Sequence, residues 1–207
     1  MSRPWVIGIT GASGAAYGVR LSSYLLSQGL EIHLMITDAG WRVLKEELGW
    51  DITKRKEAIQ QQFGSHPEKL HYHTIQDIGA STASGSFRTS GMVVIPCSMG
   101  TLSSIASGAS DNLLERSADV MLKEGRPLII VPRETPLHAI HLENMLKLSR
   151  LGVKLIPAMP AFYQGPQTIE DMVDFIVGKV LDSMGIEHEL FKRWGTQTHK
   201  SVTQVAE

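Results

Sequence analysis

The sequence predicts an α/β protein folded as a three-layer, doubly wound and mainly parallel sheet. Three observations carry this. Short β-branched apolar runs recur along the chain, helical patterns fill the gaps between them, and the first run breaks at glycines and passes straight into a helix. Strands that alternate with helices pair in parallel through crossovers and are covered on both faces. Such sheets take their ligands beyond the carboxyl ends of the strands.

Residues 5–10 read as a buried strand, 15–28 as a helix with Val19, Leu21, Leu25 and Leu26 as its apolar side, and 30–36 as a second strand, which completes a βαβ unit. The runs GMVVIP (91–96), RPLIIVP (126–132) and VKLIPAMP (153–160) read as further strands closed by proline, which donates nothing to a ladder. Helical periodicity covers 112–124, 139–150 and 169–184. The region 51–88 fits less well. It holds a polar helical piece, KRKEAIQQQF, then a stretch rich in small and polar residues that reads as a long loop with an embedded strand. One domain is expected over 1–194, followed by a tail, 195–207, with little to bury, mobile or docked on a neighbouring subunit.

Twenty basic and twenty-one acidic side chains leave a net charge of −1 over 207 residues, so no global field attracts a nucleic acid or an anionic membrane, and any anion site is local. No run approaches the roughly 20 apolar residues that span a bilayer, and the beginning of the chain lacks the pattern of a secretory signal. The single cysteine, Cys97, excludes an internal disulfide. A cytoplasmic protein is expected.

The turn after the first strand, GITGASGAAYG, imitates two motifs and satisfies neither. Ser13 is followed by Gly14 and Ala15, so the nucleophile elbow G-x-S-x-G fails; Gly8, Gly11 and Gly14 miss the G-x-G-x-x-G spacing. A nicotinamide site would need a degenerate glycine motif with Asp38 on the ribose. What remains is a Gly-Ala-Ser-Gly turn whose small residues admit a ligand and whose amides favour an anion or a polar ligand edge, or else a tight turn that serves packing alone.

Two more turns follow strands. In IPCSMGTLSS, Ser98, Met99, Gly100 and Thr101 precede a helical pattern, with hydroxyls and amides able to cradle a phosphate or simply to cap the helix. Cys97 beside them reads as a packed small residue. In VPRETP, Arg133 and Glu134 are adjacent, an arginine fork for phosphate and a carboxyl group to move protons, or else an exposed ion pair. Arg116 and Lys123 lie seven apart on one helix face, aimed at a shared anion or paired with Asp119. Tyr163 falls in a loop and Lys179 on the helix after it, together a way to close a phosphate pocket or two surface residues. The pairs His71/His73 and His138/His141 lack cysteine partners and an H-E-x-x-H pattern, so no metal site is expected. No Y-x-x-x-K pair supports a short-chain dehydrogenase.

Taken together, GITGASGAAYGVRL, IPCSMGTLSSIASG, LLERSADVMLKEGRPLIIVPRETPLHAIHLENM and PAFYQGPQTIEDMVDF resemble the UbiX flavin prenyltransferases, once labelled 3-polyprenyl-4-hydroxybenzoate carboxy-lyases, over about residues 5–194. The resemblance implies a flavodoxin-like/Rossmann-like fold and a homo-oligomer with active sites at subunit contacts. It implies metal-independent transfer of a dimethylallyl group from dimethylallyl monophosphate to N5 and C6 of reduced FMN, making prenyl-FMN for UbiD-type decarboxylases, some of which act in ubiquinone synthesis. It assigns Gly11, Ala12, Ser13, Thr37, Ser98, Met99, Gly100, Thr101 and Arg133 to FMN. Arg116, Lys123, Arg133, Tyr163 and Lys179 go to the prenyl phosphate, and Ser13, Glu47 and Glu134 to catalysis. Thr37 stands where serine is usual, and Glu46 competes with Glu47 for the carboxylate position. Two other classes are compatible with the fold: a phosphopantothenoylcysteine decarboxylase-type FMN enzyme, whose asparagine-bearing loop is replaced here by ASGSF (83–87), and a flavodoxin-like electron carrier, which needs no basic constellation.

Overall fold

A computed structural model describes residues 3–193; Trp194 and the expected tail at 195–207 lie outside them. Six strands form one sheet: β1 (Trp5–Ile9), β2 (Ile32–Ile36), β3 (Leu70–His73), β4 (Gly91–Cys97), β5 (Leu128–Pro132) and β6 (Lys154–Leu155). Every pairing is parallel, in the order β3-β2-β1-β4-β5-β6, so the winding reverses between β1 and β4. This is the doubly wound class expected, with the strand order of dinucleotide-binding folds and a crevice at the reversal.

The helices are α1 (Ala15–Ser27), α2 (Asp38–Leu48), α3 (Arg55–Phe63), α4 (Met99–Ser107), α5 (Leu113–Lys123), α6 (Ala139–Arg150) and α7 (Ile169–Met184). Side chains alternate across the strands and so build two cores. Ile7, Ile9, Val93, Ile95, Ile129 and Val131 pack under α1, α2, α3 and α7, while Val6, Met92, Val94, Leu128 and Ile130 pack under α4, α5 and α6. Burial on both faces explains why the strands read as continuous apolar runs.

Two elements depart from expectation. Helix α2 was not legible in the sequence, although Thr37 caps it by accepting from the Gly40 amide and Trp41 and Leu44 anchor it. The run at 153–160 forms only a two-residue strand, although the Ile156 and Ala158 amides still donate to the Ile130 and Pro132 carbonyls of β5 at 2.9 and 3.0 Å. No described helix is long and apolar enough to cross a membrane.

Candidate functional site

The turns after β1, β2, β4 and β5 meet at the carboxyl edge of the sheet. At the β1 turn, a Cβ on Gly11 would lie 2.5 Å from the Ala39 Cβ, so glycine lets the start of α2 seat against the turn. Ala12 is buried and Ser13 exposed, while Gly14 adopts a left-handed φ of 99° as the residue before α1. The first amides of α1 would attract an anion. They already have one, because Glu47 accepts from the Gly14 amide at 3.1 and 3.0 Å and from Ala15 at 2.9 Å. Its neighbour Glu46 points away into an exposed pair with Arg42.

On the facing turn, Ser98 caps α4 and its hydroxyl accepts from the Thr101 amide at 3.3 Å and donates to the Thr101 hydroxyl at 3.1 Å. The amides of Met99 and Gly100 take no hydrogen-bond partner among the described residues, and a Cβ on Gly100 would meet nothing within 4 Å. Helix α4 therefore presents an open N-terminus. Thr10 ties this turn to the sheet: its buried hydroxyl donates to the Pro96 carbonyl at 2.9 Å and accepts from the Ser98 amide at 2.8 Å.

Beyond β5, Arg133 reaches back to donate from Nε to the Ser13 carbonyl at 3.2 Å. Exposed Glu134 accepts from the Thr135 amide instead of pairing with Arg133. Both line a cavity of about 490 Å³ with Leu137, Met145, Ala158 and Met159, an apolar hollow with one cation and one carboxylate at its rim. Tyr17, three residues past Gly14, has its phenol pKa raised above 10 by burial; the Arg133 charge opposes that shift and the Glu47 charge adds to it.

The remaining residues do not join this cluster within one chain. Arg116 donates to the Ala83 carbonyl and to Asp119, and Lys123 pairs with Glu124. Lys123 precedes β5 and Arg133 follows it, so a strand of about 16 Å separates them. Tyr163 packs edge-on against Phe175 of α7, and Lys179 lies one turn further along that helix, 3.9 Å from Asp182. These two share a surface of their own.

Three further points bear on the sequence reading. Asp38, which a ribose would need, pairs instead with Arg55 at 2.8 Å. Cys97 is fully buried and its thiol pKa is pushed far up by burial, which suits a packing residue. Thr10 and Tyr17 were not singled out. Tyr17 had a signal in its place in the first turn after Gly14, whereas Thr10 reads as the last residue of a strand.

Comparison with known proteins places this geometry. The chain matches the family model described as Flavoprotein over residues 1–181. It is 61% identical over 189 residues to the flavin prenyltransferase UbiX of Alkalihalophilus pseudofirmus, covering 91% of this chain and 94% of that one. The crystal structure of AnUbiX (PadA1) in complex with FMN and dimethylallyl pyrophosphate superposes with a TM-score of 0.86 at 39% identity, over 96% of this chain and all of the other. A dodecameric FMN-dependent UbiX-like decarboxylase from Escherichia coli O157:H7 superposes with a TM-score of 0.84 at 44% identity, over 92% and 98% of the two chains.

Proposed function

The chain belongs to the Flavoprotein family and, within it, to the UbiX flavin prenyltransferases, and on that premise we propose that it moves a dimethylallyl group from dimethylallyl monophosphate to N5 and C6 of reduced FMN. The observation that carries this is the meeting, at one sheet edge, of an open α4 N-terminus with Arg133, Glu134 and the Ser13 turn. When bound, reduced FMN supplies the nucleophilic N5 and C6.

Each residue then has a physical task. With Glu47 on the α1 amides, the FMN phosphate would be held at the α4 N-terminus by the Met99 and Gly100 amides and the Ser98 and Thr101 hydroxyls. Gly11, Ala12 and Ser13 admit the flavin edge, and Thr37 borders it from α2. The Ser13 hydroxyl, which takes no partner among the described residues, is placed to exchange a proton at N5. Departure of the prenyl phosphate builds negative charge on oxygen, which fixed cations stabilise. Arg133 supplies one such cation, and Glu134 beside it donates a proton to the leaving phosphate and later takes one from the flavin.

Arg116, Lys123, Tyr163 and Lys179 reach that phosphate only if a second copy of the chain brings them there. An assembly also accounts for Ile140, Leu142, Leu146, Met159 and Phe162, apolar side chains exposed on the single chain. The site is accordingly assembled at a contact between copies. The reducing cytoplasm suits a chain with one buried, unpaired cysteine, and the product serves UbiD-type decarboxylases.

Anaerobic incubation with reduced FMN and dimethylallyl monophosphate, followed by the mass of the released flavin, tests the proposal. A flavin heavier by one isoprene unit supports it. Unmodified FMN, with decarboxylation of a cysteine-derived substrate or with electron transfer alone, supports one of the two other classes.

A further inference from the structure

Strand register assembles a histidine cluster that sequence spacing conceals. His33 of β2 sits opposite His71 of β3, and Met35 opposite His73, so all three imidazoles share the sheet face under α4 and α5. His33 stacks on His71 at 4.7 Å and on His73 at 5.0 Å, with Phe87 edge-on at 5.0 Å. Glu31, just before β2, brings Oε1 to 2.9 Å from His71 Nε2 and 3.8 Å from His33 Nε2. This lies at the amino ends of the strands, opposite the flavin turns.

His33 has a problem that the protein alone does not solve. The ring is buried, its Nδ1 sits 2.8 Å from His73 Nε2, and its Nε2 has no hydrogen-bond partner among the described residues. One hydrogen serves the His33–His73 contact. If His33 donates it, the bare Nε2 lone pair faces a carboxylate oxygen, acceptor against acceptor. If His73 donates it, the His33 Nε2–H faces that oxygen at 3.8 Å, too far to bond. Neither tautomer resolves the conflict. A divalent cation between the lone pair and the carboxylate does.

We propose that Glu31, His33 and His71 bind a divalent transition-metal ion of the zinc type, with His73 as the hydrogen-bond partner that fixes the His33 tautomer. The three donor atoms lie within 4.8 Å of one another. Tetrahedral zinc with bonds of about 2.0–2.2 Å places its ligand atoms roughly 3.3 Å apart, between the two carboxylate distances here, and half-exposed His71 can turn to close the remainder. Two imidazoles and one carboxylate suit zinc, cobalt, nickel or copper and leave a position for water. A neutral imidazole whose other nitrogen is held by an outer partner is the usual form of a metal-binding histidine. The ion clips edge strand β3 to β2 and takes no part in prenyl transfer.

The test uses the full chain without a histidine tag, stripped by chelator and titrated with Zn²⁺ or Co²⁺ alone by calorimetry, with cobalt absorption reporting coordination. One ion per chain is expected, with the visible bands of tetrahedral cobalt. His71→Ala and Glu31→Gln change half-exposed ligands, so the fold should persist by circular dichroism while affinity falls at least 10–100-fold, and His73→Ala should weaken binding about 10–100-fold. Prenylation of FMN by His71→Ala should match the parent. Absence of saturable binding would overturn the proposal. So would affinity that survives both ligand variants but is lost in His141→Ala, which would assign the metal to the stacked His138/His141 pair.

Discussion

Glu47 holds the Gly14 amide with both of its carboxylate oxygens, from thirty-three residues away. The anion site expected at the start of α1 is therefore filled by the protein's own side chain, and the turn is clamped from α2 on one side and by Arg133 on the other. Removing the clamp leaves two helix-start amides without their acceptor. Glu47→Ala should lower stability by about 1–2 kcal/mol, the scale of a lost helix cap, and slow prenylation. Glu46→Ala, which breaks only an exposed pair with Arg42, should leave the urea midpoint and the turnover near those of the parent. Equal effects of the two changes would show that the clamp does not matter.

Thr10 is the buried link between the β1 and β4 turns. Thr10→Val keeps shape and the Thr10 amide's own bond to the Pro96 carbonyl but orphans the Ser98 amide, at a cost of about 1–3 kcal/mol. FMN affinity should fall with it, because the Ser98 turn loses its anchor. Calorimetric titration with FMN alongside thermal unfolding checks both; stability lost with affinity intact would place the flavin phosphate elsewhere.

Adjacent Arg133 and Glu134 should separate kinetically. Glu134→Gln keeps size and hydrogen bonding but cannot cycle a proton, so FMN binding should persist while single-turnover prenylation slows by roughly 10²–10⁴-fold. Arg133→Ala should instead weaken ligand binding by about 1.5–3 kcal/mol, as expected for a lost charge-assisted hydrogen bond. Prenylation by the Gln variant at the parent rate would move the proton-transfer role, most directly to Glu47.

Cys97 should behave as packing. Buried within β4 with its thiolate strongly disfavoured, it should resist alkylation in the native protein and react only at the rate of global opening. Rapid labelling without unfolding would contradict its place in the core.

The strands and most helices were legible because burial on both faces writes them as apolar runs, and proline marks where they stop. Helix α2 was hidden by Gly40, which reads as a breaker yet is needed because a Cβ there would lie 2.8 Å from the Ile9 carbonyl. Neighbouring helix residues point about 100° apart, so sequence could not decide between Glu46 and Glu47. The turns at Ser13, Ser98 and Arg133 were recognisable one by one, but their meeting depends on the reversal of strand order between β1 and β4. His33 escaped notice because its partner His71 is set by register across strands. The cations expected at the prenyl phosphate were legible as residue types, but they do not converge within one chain, where β5 separates Lys123 from Arg133.

A prenylation site completed by two copies of the chain is tested most directly by mixing two inactive variants. Lys123→Ala and Glu134→Gln proteins, dissociated and reassembled together, should regain prenylation at up to about a quarter of the sites, where an intact Glu134 from one copy meets an intact Lys123 from another. The mass of the flavin product, heavier by one isoprene unit, gives the readout. A mixture no more active than its two components would place both residues in the same chain's site and contradict the two-copy account.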